Sequence, residues 1–184
     1  MEHYIDIKVL PDQEFSDSLL MNALFAKFHR ALVESGHGEI GVSFPQAQKT
    51  LGDKLRLHGS LSAIQRLMEI SWLKGLTDYT SVSAITPVPD KCQYRVVKRV
   101  QSKSSVERIY RRSVKNGRLT SEEANTRMNA CKEQHLKEPF VQLKSQSSAQ
   151  SFRLFIQQGK LLDLPVEGEF SAYALSSKAT IPWF

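Results

Sequence analysis

Five histidines, His3, His29, His37, His58 and His135, are the groups in this chain best suited to moving protons near neutral pH. None has a neighbour at metal-ligand spacing. The sequence also lacks a Gly-rich phosphate loop, an HExxH, a paired DxD and a defensible Ser-His-Asp order. Any chemistry is therefore expected to be metal-free acid–base work with no cofactor. His29 is the best single candidate. It falls in the last turns of a helical pattern, beside Arg30, at the edge of the apolar side. A boundary histidine with its own hydrogen bond and a general base both fit that position. Ser145, Ser147 and Ser148 read as an ordinary polar turn. Tyr173 reads as a half-buried strand tyrosine. Phe152 reads as core, or as a stacking platform for a nucleic-acid base if exposed.

The second chemical feature is charge. Residues 95–118, RVVKRVQSKSSVERIYRRSVKNGR, hold nine basic residues and one acid. That segment carries +8 in a chain of net +6, so the remainder sums to about −2. Charge this local is what a polyanion-binding element needs. Ser104 and Glu107 have capping-box spacing, and Asn116-Gly117 is a helix stop. Between them Arg108, Arg111, Arg112 and Lys115 recur at i, i+3, i+4 and i+7 and form one stripe. Val106, Ile109, Tyr110 and Val114 fall on the other side. Acids to pair with the arginines are nearly absent, which favours a nucleic-acid groove over a solvated charged face. DNA and RNA both remain open on charge alone.

These groups need elements to position them. Residues 3–10 alternate as a strand with Ile5, Ile7 and Val9 on one side. Residues 16–35 read as a helix on Leu20, Leu24, Phe28, Ala31 and Leu32, stopped by Gly36. Strands follow at 39–44 and 54–58. A helix spans 60–72 on Leu61, Ile64, Leu67, Met68 and Trp72, and a strand spans 79–85. The order β-α-β-β-α-β is the ferredoxin-like (RRM-like) pattern. After Pro89 come a strand at 93–102, the arginine helix and a second capping box at Thr120–Glu123 opening a helix to about Leu136. Strands at 140–144, 152–157 and 170–175 complete the chain. The expected class is α+β, with a ferredoxin-like domain over 1–91 and a second α+β domain over 92–184. The 184 residues are 41% hydrophobic, ordinary for a globular protein. No apolar run approaches the ~20 residues of a membrane span. The first ten residues have no signal-peptide pattern. Cys92 and Cys131 lack framework spacing and read as free thiols in a reducing cytoplasm.

The segments MEHYIDIKVLPDQEF, LFAKFHRAL, GVSFP, RVQSKSS, FVQLKSQSSAQSFRLFI and the final PWF, in this order, resemble the CRISPR-associated endoribonucleases of the type I-F system. The resemblance runs the whole chain. It implies binding to the stem-loop of a CRISPR repeat and metal-free cutting at the 3′ base of the stem. It also implies a monomer when alone, which stays on the mature CRISPR RNA as a subunit of a surveillance complex. It assigns His29 as general base, Ser145 (in Lys144-Ser145-Gln146-Ser147) as the group holding the 2′-OH, and Tyr173 as the residue orienting the imidazole. Ser147 becomes a phosphate or backbone contact, and Phe152 the aromatic at the base of the stem. Arg99 and Gln101 become base readers, and Arg108, Arg111, Arg112 and Lys115 become phosphate contacts. Arginine suits the O6/N7 edge of guanine and glutamine the N6/N7 edge of adenine. A hairpin-binding subunit without chemistry and a general nucleic-acid-binding protein are the competing readings. If Arg99 reads a base, Arg99→Ala costs roughly 1–3 kcal/mol of hairpin binding and relaxes sequence choice at one stem position. An equal loss on every hairpin, measured by titration of a stem-mutant panel, would make Arg99 a phosphate contact.

Overall fold

The structure, a computed structural model, describes all residues except 37, 102–105, 131–135 and 147, and leaves the side chains of 106–109 and 128–130 undescribed. The described residues form two compact units, Met1–Val100 with Glu138–Phe184, and Gln101–Lys137. Residue 91, where a division was expected, falls inside the first of these units.

The first sheet is built from β1 (His3–Val9), β2 (Gly41–Ser43), β3 (Lys54–Gly59), β4 (Thr80–Val82) and β5 (Thr86–Pro87). Its order is β2-β3-β1-β4, with β5 also on β1, and every pairing is antiparallel. With helices α1 (Asp17–Ser35) and α2 (Leu61–Glu69) as the crossovers, this is the ferredoxin-like arrangement. Ser16 and Ser60 cap the two helices by accepting from the N–H of Leu19 and Ala63. Helix α1 buries the side predicted for it, and also Met21 and Phe25. Each leucine, methionine or phenylalanine among them contributes roughly 1.5–3 kcal/mol through burial.

Three elements differ from the sequence pattern. Helix α2 ends at Glu69, and Trp72 enters the core from the turn beyond, its ring centroid 6.0 Å from that of Phe28. Burying the indole outweighs one more helical turn. Leu61, expected inside, is exposed. The strand expected over 79–85 is broken. The Ser83 hydroxyl accepts from the Asp6 N–H and the Ser83 N–H donates to the Asp6 carbonyl, so a side chain replaces a rung of the ladder.

The second sheet runs β7-β8-β6-β9 and is also antiparallel. Its strands are β6 (Gln93–Val100), β7 (Phe140–Lys144), β8 (Ser151–Leu162) and β9 (Thr180–Trp183). The strand expected over 170–175 is a turn instead. Ser171 N–H bonds to Leu175 O and Ala174 N–H to Ser171 O, and Ala174 takes a positive φ of 57°. The alternation of FSAYAL suggested a strand, but tertiary bonds to neighbouring strands decide the geometry. The Gln158 side chain ties the sheets together, accepting from Phe44 N–H and donating to Phe44 O. A Cβ at Gly41 would lie 2.6 Å from Ile181 Cγ2 and 2.9 Å from Phe170 Cε1, so side chains from β9 and the 170–176 segment pack against β2 where a glycine leaves room.

In the other unit, α3 (Val106–Lys115) and α4 (Ser121–Ala130) pack together. Helix α3 ends as the sequence indicates. Arg118 N–H bonds to Ser113 O and Gly117 N–H to Val114 O, with Gly117 at φ 67°, a Schellman stop. The Thr120–Glu123 capping box is reciprocal, at 2.9 and 3.2 Å. The box expected at Ser104–Glu107 lies outside the described residues.

Alternate residues of β1 and β3 place Tyr4, Asp6, Arg56 and His58 together on the face opposite Ile5, Ile7, Leu55 and Leu57. Arg56 binds Asp6 through two bonds of 2.6 and 3.0 Å and packs against the rings of both Tyr4 and Phe184, which also touch each other. Burial alone would raise the Asp6 carboxyl, but bonds and charge from Arg56, then Lys54, hold it below the usual range. His58 is fully buried, with Nε2 2.8 Å from Ser43 Oγ. Burial, helped by the Arg56 charge, pushes its imidazole down to about 3. The unfolded chain therefore binds a proton at His58 that the folded chain refuses. This part of the stability is intact above the ordinary value of 6.5 and is lost as pH falls from there toward about 3. Between pH 7 and pH 5 denaturant melts should lose about 2 kcal/mol from this group. His58→Gln should flatten that slope, and an unchanged slope would remove His58 as its cause.

Candidate active site and basic helix

His29 lies on α1 where the helix meets the 170–176 segment. That segment is pinned from two sides, with Val42 N–H donating to Ala174 O at 3.1 Å and Ser176 N–H donating to Val97 O at 3.0 Å. It thereby covers the open edge of β2. It also delivers Ala172 O to within 2.6 Å of His29 Nδ1. A carbonyl only accepts, so Nδ1 carries the hydrogen and donates. In the neutral ring the lone pair then sits on Nε2. Tyr173, the next residue, stacks on the imidazole with ring centroids 4.3 Å apart and planes 17° from parallel. Both rings are half-buried. The arrangement can hold an imidazole in one orientation and one tautomer with Nε2 as base.

Ser145 follows β7, in the hairpin loop between the last β7–β8 pair, Lys144 and Ser151. Its N–H donates to Gln150 O at 2.9 Å, and its Oγ accepts from Ser148 N–H at 3.3 Å. Helix α1 packs on β7, and Asn22 Oδ1 accepts from the Gln142 N–H at 2.8 Å. From that anchor His29 lies about 10 Å along the helix. Ser145 lies about 10 Å along the strand direction. Ala149 and Ala174 are the described non-glycine residues with positive φ, and they lie in the loops that carry Ser145 and Tyr173. Strain of this kind, of order 1–3 kcal/mol each, collects where a loop must hold a functional shape.

Phe152 pairs with Leu143 across the β7–β8 ladder and is half-buried against the core. Arg99 is exposed on β6 opposite Ile156. In the other unit Gln101 is exposed, as are Arg111, Arg112 and Lys115 of α3, while Tyr110 and Val114 are half-buried. The stripe and its apolar counter-face are thus both present over the described part of the helix. Ser147 and the Arg108 side chain lie outside the described residues. The structure joins His29 to Tyr173 directly, and it adds a group that residue types could not reveal, the Ala172 carbonyl. A main-chain acceptor 143 residues away leaves no mark in the sequence. Among the described residues no helix is long and apolar enough to cross a membrane.

Fold and site together define an α+β protein on a ferredoxin-like sheet, with an oriented imidazole in one unit and a basic helix in the other. The chain belongs to the Csy4 family of CRISPR-associated proteins, whose pattern matches residues 4–184. It is 55% identical over 184 residues to the CRISPR-associated endonuclease Cas6/Csy4 of Escherichia coli (strain UTI89 / UPEC), covering all of both chains. It is 43% identical over 187 residues to the CRISPR-associated endonuclease Cas6/Csy4 of Pseudomonas aeruginosa (strain UCBPP-PA14), again covering all of both.

The tautomer can be read directly. In a ¹⁵N NMR spectrum at alkaline pH, where the ring is neutral, His29 should show a protonated Nδ1 and an unprotonated Nε2. The reverse pattern would mean that the Ala172 carbonyl does not orient the ring.

Proposed function

We propose that this protein is a metal-independent endoribonuclease that binds the stem-loop of a CRISPR repeat and cuts the RNA at the 3′ base of the stem. The family supports CRISPR RNA as substrate. The observation that carries the chemistry is the imidazole of His29, held by Ala172 O with Nε2 as the accepting nitrogen.

The ribose 2′-OH just upstream of the cut gives its proton to His29 Nε2. The 2′ oxygen attacks the adjacent phosphorus, and the bond from phosphorus to the 5′ oxygen breaks. The leaving oxygen takes up a proton. The products are a 2′,3′-cyclic phosphate and a 5′-OH. General-base help of this kind contributes typically 10²–10⁴-fold. Ser145 holds the 2′-OH and ribose for in-line attack, a positioning role worth several kcal/mol of the barrier. Tyr173 keeps the imidazole plane in place by stacking. Phe152 meets the base of the stem. Arg99 and Gln101 read base edges, and Arg108, Arg111, Arg112, Lys115 and Ser147 contact the backbone. The enzyme then stays on the mature CRISPR RNA as a subunit of a type I-F surveillance complex in the cytoplasm.

The test is cleavage of a type I-F repeat hairpin in EDTA, beside the same RNA with a single 2′-deoxy nucleotide upstream of the cut. The first should be cut and the second only bound. His29→Ala should lower the rate at least ~10²-fold while hairpin affinity stays within a few-fold. Tight binding with no cutting of either RNA would leave a hairpin-binding subunit. Comparable affinity for duplex DNA would remove the RNA preference.

A further inference from the structure

Strand β7 ends the second sheet, with β8 on one side of it. Ile156 N–H donates to Pro139 O and Ser145 N–H to Gln150 O, so the odd-numbered residues of this stretch turn their backbone toward β8. Gln142 is out of step with them, and its N–H points away from the sheet. Asn22 of α1 meets it there, Oδ1 accepting at 2.8 Å. A backbone N–H only donates, so the amide oxygen of Asn22 is the atom that faces the strand. Asn22 and His29 are seven residues apart, two turns of α1. They stand on one face of the helix about 10 Å from each other, both half-buried. His29 uses that face to meet Ala172 O. Asn22 uses it to meet the strand that leads, three residues on, to Ser145.

Phe25 and Phe28 of α1 share one core with Val141 and Leu143 of β7. Apolar packing of this kind resists separation but has no direction, so it leaves the helix able to slide and tilt on the strand. A hydrogen bond has a preferred length and angle and fixes that register. We propose that Asn22 is a positioning residue for the cleavage step, its bond to Gln142 setting where Ser145 stands relative to His29. The inference rests on the endoribonuclease reading, in which His29 and Ser145 act on one ribose 2′-OH. Each lies about 10 Å from the Asn22–Gln142 joint, so tilting the helix on the strand by about 6° shifts either by about 1 Å. A misplacement of that size costs about 10²-fold in rate. The bond itself is open to solvent, and water can take the place of its acceptor. Its loss therefore acts on the chemistry far more than on folding or on hairpin binding.

Single-turnover cleavage of a type I-F repeat hairpin, affinity for the same hairpin carrying the 2′-deoxy block, and thermal melting test this on wild type and two variants. Asn22→Leu keeps the size of the side chain and removes the acceptor. Its cleavage rate should fall about 10–100-fold, while hairpin affinity stays within about 2-fold and Tm within about 4 °C. Asn22→Asp keeps an oxygen in the same place and should bring the rate back to within about 3-fold of wild type. The ¹⁵N spectrum of Asn22→Leu should show the wild-type tautomer at His29, because Ala172 holds that ring from the other side. An unchanged rate, an equal loss in Asn22→Leu and Asn22→Asp, or a loss of affinity that matches the loss of rate would overturn the proposal. So would a changed His29 tautomer, which would make Asn22 act through the histidine and not through Ser145. Wild-type protein that binds the hairpin without cutting it would overturn the endoribonuclease reading and this inference with it. Equal cutting by wild type and Asn22→Leu would overturn this inference alone.

Discussion

The arrangement around His29 depends on one constraint, the double attachment of the 170–176 segment. Val42 on the first sheet and Val97 on the second hold it by backbone bonds. Each is worth only about 1 kcal/mol net. Their geometric consequence is larger. The segment closes an edge of the first sheet, forces Ala174 into the left-handed region, and turns the Ala172 carbonyl and the Tyr173 ring toward α1. Remove the attachment and the histidine keeps its helix but loses its orientation. The site is thus a property of how the two sheets of this unit meet.

That meeting is secured on the opposite face of the first sheet as well. A layer of polar groups, Asp6, Arg56, His58 and Ser43, is closed over by aromatic rings and by the approach of β9 at Gly41. Removing charges from water is expensive unless they are paired and bonded. The two-point Arg56–Asp6 pairing meets that condition, and the neutral His58 meets it by not being charged at all. Gln158 performs a related task where the sheets join, its amide acting as one more backbone unit for Phe44.

Local rules made much of this legible before any coordinates. The period of 2 in Ile5, Ile7 and Val9, the Thr120–Glu123 box and the Gly117 stop depend on neighbours a few residues away, and the structure repeats them. The ferredoxin-like order followed from their sequence. What was not legible depends on distant partners. FSAYAL alternates as a strand does, yet becomes a turn because Val42 and Val97 claim its backbone. Trp72 fits a helical wheel but reaches the core from a turn. Ser83 breaks a strand with a hydroxyl that has a backbone partner 77 residues away. His29 could be picked out by type and position, but what holds its ring could not.

The order of the chain adds a consequence in time. The unit containing His29 is discontinuous, residues 1–100 followed after an excursion by 138–184. Domains fold from the N-terminus as the ribosome makes them, at about 5–20 residues per second. The first sheet and α1 can therefore assemble early, but the carbonyl that orients the imidazole is 143 residues downstream of it. For most of its synthesis the nascent chain carries His29 on its helix without the carbonyl that orients the ring. A product that stops short of residue 172 would lack that acceptor, so the wiring of the fold leaves the orientation of this ring open until translation is nearly done.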